Sequence, residues 1–149
     1  MSTGKYLLMI LGFFLMASCK KDKNEPVVVK DFTIEALTYK SWKPVQIDGN
    51  TSINPPSGTY QYYAVQIWDK DDLITYKTDS KVYYSYGSMM APISVEMPES
   101  KVYSVDLPKK TITISGITYQ LLEVSATRLK YSLTLGGGNP TLVFMFEHP

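Results

Sequence analysis

Asp69-Lys70-Asp71-Asp72 is the densest acidic cluster in the chain. Calcium loops begin with alternating carboxylates, and Asp69-x-Asp71 starts in that phase. No glycine follows at the sixth position and no glutamate at the twelfth, so the pattern goes no further. A tight turn between two strands uses the same residues to cap backbone N–H groups, and that is the expected role. No metal ligand is assigned. Glu96, Glu123 and Glu147 fall inside apparent strands, and glycoside hydrolysis would need two such acids in a shared cleft. Glu123 is in phase with Ile117, Tyr119 and Leu121. It either enters a barrel interior to meet Arg128 or a tyrosine hydroxyl, or reaches water at a strand end. The single histidine, His148, stands next to the C-terminus, where chain ends fray, and no G-x-S-x-G elbow occurs. Gly136-Gly137-Gly138 has neither a following Lys-Ser/Thr nor a helix to bind phosphate, so it reads as a hairpin loop. These residues point to no enzyme, no catalytic residue and no cofactor.

Cys19 is the only cysteine, which excludes an internal disulfide framework. Lys5 precedes an apolar run from Tyr6 to Leu15, too short to span a bilayer but suited to the core of a secretory signal. Met16-Ala17-Ser18-Cys19 then resembles the lipobox of bacterial lipoproteins, with Met where Leu is commoner. The resemblance implies that the Cys19 thiol carries diacylglycerol and becomes the first mature residue. Two or more acyl chains anchor stably where one would not. Residues 20–30 (KKDKNEPVVVK) are charged and aperiodic, as expected of a tether. The expected organisation is a signal peptide over 1–18, a lipidated Cys and tether over 19–30, and one domain over 31–149. The expected location is the cell envelope, attached to the outer membrane, with the face open.

Twelve tyrosines are the compositional excess. Tyr60, Tyr62, Tyr63, Tyr83, Tyr84 and Tyr86, with Trp68, fall on what read as neighbouring strands. An aromatic, partly polar wall suits a cavity for a flat or amphipathic ligand. The same residues also suit a protein-contact face, or plain packing in half-buried strands. The expected ligand wall is Trp42, Tyr62, Trp68, Tyr84 and Glu123. Fifteen basic against fourteen acidic residues leave +1, so there is no global field to attract nucleic acid. Residues 31–149, with 10 basic and 12 acidic side chains, are poor material for a basic groove, and no nucleic-acid partner is expected.

The elements that must position these groups are strands. Only Phe32 to Leu37 (FTIEAL) suggests a helical turn or short strand; the rest alternates with period two between Gly, Pro, Asn, Asp and Ser clusters. Runs are predicted at 42–48, 60–68, 73–77, 81–86, 93–97, 101–107, 111–115, 117–125, 129–135 and 141–147. Without long crossovers these should form an antiparallel meander. With no covering helices, such a meander must close into a barrel or fold into a sandwich.

Leu37 to Trp42 followed by Trp68-Asp69-Lys70-Asp71-Asp72-Leu73-Ile74-Thr75-Tyr76 resembles the bacterial lipocalin-like lipoproteins. Their "kDd…tF" hairpin follows the second long strand, and Tyr76 stands where Phe is usual. Lys110–Leu135 is similar to the closing hairpins of that family. The cysteine many relatives carry just before the turn is replaced by Trp68. Across Leu37 to Glu147, the resemblance implies an all-β, lipocalin-like meander barrel of about 8–10 strands without catalytic residues. The expected function is non-covalent holding of a small hydrophobic or amphipathic ligand. The alternative is an accessory subunit docking an envelope protein through a Tyr-rich face.

Overall fold

The structure, a computed structural model, describes residues 32–56, 58–89 and 99–149. The signal, Cys19, the tether and the strand expected at 93–97 with Glu96 lie outside the described residues.

Among the described residues, nine strands form one sheet that curls into a nearly closed barrel. They are β1 (Lys43–Pro44), β2 (Tyr60–Tyr62), β3 (Leu73–Tyr76), β4 (Lys81–Ser85), β5 (Ser100–Asp106), β6 (Thr111–Ile114), β7 (Ile117–Val124), β8 (Arg128–Thr134) and β9 (Thr141–Glu147). From β3 to β9 the chain is an antiparallel meander. The β6–β7 connection is as tight as a hairpin allows: Ser115 and Gly116 both have positive φ, the pairing that matches strand twist. β1 joins the far side of β9, and the Trp42–Ile74 bridge brings that edge back to β3.

The runs expected at 42–48 and 60–68 are much shorter as strands. β1 pairs antiparallel with the C-terminal end of β9, and β2 pairs parallel with its N-terminal end. Both use one edge of β9. The chain leaves that edge after Val45, whose N–H still donates to the Met145 carbonyl, and returns before Tyr60. Residues 46–56, with 58 and 59, form a strap between β1 and β2. After Tyr63, which donates to the Val143 carbonyl, the chain again leaves the sheet and turns through a short helical element at Ile67–Asp69.

Inside the barrel, Tyr76, Val82, Tyr103, Ile112, Leu121, Leu129, Tyr131 and Phe146 are buried in one cluster. Helix α1 (Ile34–Thr38) adds Ala36 and Leu37 to it, with Phe32 packed alongside. The Thr33 hydroxyl caps α1 by accepting the Ala36 N–H, and Phe32 N–H bonds the Val124 carbonyl, so the helix plugs the β7 C-terminal end. Trp42 is fully buried at the seam, with its Nε1 donating to the Leu37 carbonyl. His148 does not fray. Its ring stacks on Trp42 with centroids 3.9 Å apart, and its Nδ1 lies 2.8 Å from the Ser41 carbonyl oxygen.

Candidate functional site

The plugged end leaves space at the other. A cavity of about 290 Å³ lies where the β2 edge and the chain beyond it diverge from β3 and β4. Its position follows from the strand phase. Ile74 pairs with Tyr84 and Tyr76 with Val82, so Tyr84 points into the barrel alongside core residues. On β8 and β9, Tyr131 and Phe144 are register partners with rings stacked at 5.4 Å. Tyr63 closes one flank by stacking on Phe144 at 4.8 Å, and Tyr86 lies parallel to Tyr84 at 6.4 Å. Burial, with the neighbouring Tyr86 and Tyr119, pushes the Tyr84 hydroxyl up to about 12, so it stays a neutral donor and acceptor.

Three charged side chains also line this space: Asp69, Asp72 and Lys101. Asp69 accepts the Gln66 N–H through Oδ2, and Asp72 accepts the Gly87 N–H through Oδ1. Asp71, beside the cavity, takes the Ser88 and Met89 N–H groups on one oxygen. The acidic run is thus divided among backbone caps, as turn chemistry requires. Lys101 pairs with Val82 across β4–β5, which turns its side chain inward, and its Nζ stands 5.0 Å from the Tyr84 ring centroid.

Of the five residues singled out in the sequence, Tyr84 alone lines the cavity. Trp42 belongs to the seam below, and Trp68 to the short helical element beyond β2. Glu123 and Tyr62 both lie on the opposite side of the wall, each with its own partners. The phase that puts Glu123 with Leu121 is broken by a bulge: Leu121 pairs with Tyr131, but Glu123 pairs with Lys130, leaving Leu122 as the extra residue. Leu121 therefore points inward while Glu123 faces out. There it accepts a 3.0 Å hydrogen bond from the Arg128 Nε.

That outer face is covered by the strap. Lys130 and Asp48 have side chains only 3% and 4% exposed, with Nζ 2.7 and 2.9 Å from the two carboxylate oxygens. Lys130 also donates to the Asn50 carbonyl, and the Tyr62 hydroxyl donates to Asp48 Oδ2 at 2.6 Å. Burial pushes the Asp48 carboxyl up. Hydrogen bonds from Lys130, Tyr62 and the Asn50 N–H, with the Lys130 charge, outweigh this and hold it at about 2. The same burial and the adjacent carboxylate push the Tyr62 hydroxyl up to about 12. Tyr62 is a latch for the strap.

The cavity residues absent from the expected ligand wall are chiefly Tyr131, Phe144 and Lys101, with Tyr86, which the sequence placed only in the wider aromatic group, and Asp72, which it placed only in the turn. Tyr131 was legible as inward from the Leu129-Tyr131-Leu133 alternation. Lys101 carries no such signal, because charged residues in a half-buried strand ordinarily face water, and Asp72 reads as a turn residue just before β3. Comparison of the chain with known protein families, curated proteins and solved structures finds no match in any of the three.

Proposed function

We propose that this chain is a lipid-anchored envelope protein of lipocalin-like type that holds a small amphipathic ligand non-covalently in its barrel. The carrying observation is the cavity of about 290 Å³ walled by Tyr63, Tyr84, Tyr86, Tyr131 and Phe144. Small ligand sites are concave, mostly apolar and given direction by a few polar groups, and this wall has that character. The cavity's volume is sufficient for a compact molecule of one or two rings. The anchor rests on Cys19 and the small residues before it.

Native mass spectrometry of the mature protein, extracted from its own envelope, tests the reading. A retained small-molecule mass is expected, lost when the cavity is filled by Val65→Trp. A bare protein mass, or an adduct indifferent to Val65→Trp, would count against a ligand in this space. Incorporation of labelled fatty acid, abolished by Cys19→Ala, tests the anchor separately.

A further inference from the structure

We propose that the ligand is an aromatic zwitterion, its cationic end held at Asp72 and its anionic end at Lys101; this rests on the cavity being a ligand site. The two charges enter the same space from β5 and from the start of β3, with β4 between them. Neighbouring strands lie about 4.8 Å apart, so the two backbones are separated by at least about 10 Å. Among the described residues they make no ion pair with each other, and the ammonium of Lys101 rests on the Tyr84 ring rather than on a carboxylate.

A half-buried cation and a half-buried anion in one cavity, each short of a counter-charge, are costly unless something completes them. Burial, with the nearby Asp69 and Asp71 charges, raises the Asp72 carboxyl above its ordinary value against the opposing Gly87 hydrogen bond. An ammonium placed there would relieve that strain, and Asp69, which also lines the cavity, adds to its attraction. Asp72 has an oxygen to offer: Oδ1 is engaged by the Gly87 N–H, while no hydrogen bond occupies Oδ2 among the described residues. At the other end, the Lys101 ammonium can accept an anionic group without leaving the Tyr84 face. Between the ends, Tyr84 and Tyr86 are parallel and Tyr131 and Phe144 are stacked, surfaces that favour a flat ring. A ligand carrying one charge would leave the opposite, half-buried cavity charge unmatched.

The test uses four single-ring probes of nearly equal size. They are 4-(aminomethyl)phenylacetate, with a charge at each end, 4-methylphenylacetate, 4-methylbenzylamine and 4-methylbenzyl alcohol. Each is titrated by ligand-observed NMR into the mature protein in phospholipid nanodiscs, with empty nanodiscs as the blank. The zwitterion is expected to bind at least tenfold more tightly than any of the others. Asp72→Asn, which keeps the Gly87 cap, should reduce it to the level of the anion, and Lys101→Met to that of the amine. Four affinities within threefold of one another would overturn the charge assignment while leaving the cavity as a binding site. A zwitterion preference unchanged in both variants would overturn it too. Binding of none of the probes would count against both readings.

Discussion

Lys130 shows how far a single residue departs from its compositional expectation. Lysines are almost never fully buried unless paired, and this one is paired through both oxygens of Asp48. Breaking one side of such a pair leaves an uncompensated buried charge. Lys130→Met should therefore destabilise the protein by about 3–5 kcal/mol, measured by urea unfolding near neutral pH. The pH dependence has a definite sign. Asp48 is held at about 2, below its ordinary 3.8, so its contribution is complete above pH 4 and is lost as pH falls toward 2. In Lys130→Met the same carboxyl keeps its burial but loses its strongest donor, and protonation then relieves the variant. The stability gap between the two proteins should narrow between pH 4 and pH 2. A gap constant across that range would show that Asp48 is not the group answering to Lys130.

At the scale of elements, the backbone just after β4, at Gly87–Met89, depends on one glycine. A Cβ built on Gly87 would fall on the Asp71 carboxyl group, and that carboxylate accepts the Ser88 and Met89 N–H groups. Gly87→Ala must expel the carboxylate and lose those caps together. A loss of about 1–3 kcal/mol is expected, read as a lowered melting temperature, and Asp71→Ala in the same background should add little. Additive losses would mean that the glycine matters for another reason. The elements themselves were largely legible in the sequence. The runs expected at 73–77, 81–86, 101–107, 111–115, 117–125, 129–135 and 141–147 are β3 to β9 to within a residue or two, because each buries one face and alternation records it. The runs at 42–48 and 60–68 misled for a physical reason. Their residues suit strands, but both segments meet the same edge of β9, and neither can hold it for its full length. The candidate site was less legible. Glu123 follows the inward phase in sequence, and only the bulge at Leu122, which no residue type announces, turns it out. Tyr62 looks like a wall residue until the strap brings Asp48 to its hydroxyl.

At the scale of the whole molecule, the barrel is unevenly closed, and that unevenness links stability to binding. β7, β8 and β9 are joined along nearly their full lengths, whereas the seam between the β1 edge and β3 is held by the Trp42–Ile74 bridge and the adjacent Ser41–Thr75 hydroxyl pair. The bridge's two hydrogen bonds, 2.7 and 2.8 Å, are backed by Trp42 packed between Leu37 and His148. Beyond the bridge the walls part, and the cavity occupies the gap, with Ile74 and Leu73 on one side and Pro44 and Val45 on the other. Opening the seam would break few bonds, so it should be a local event well below the cost of global unfolding. In native-state hydrogen exchange, the amides of Leu129, Tyr131 and Phe144 should exchange only through global unfolding, while those of Trp42 and Ile74 exchange through a cheaper opening. A ligand spanning the cavity touches both sides of the gap and must be released, or lose half its contacts, when the seam opens. At one hundred times its Kd it should slow exchange at Trp42 and Ile74 by about two orders of magnitude, corresponding to about 2.7 kcal/mol. If those two amides were as protected as β8 without ligand, the seam would be a rigid part of the wall, and entry to the cavity would have to come from the open end of the barrel.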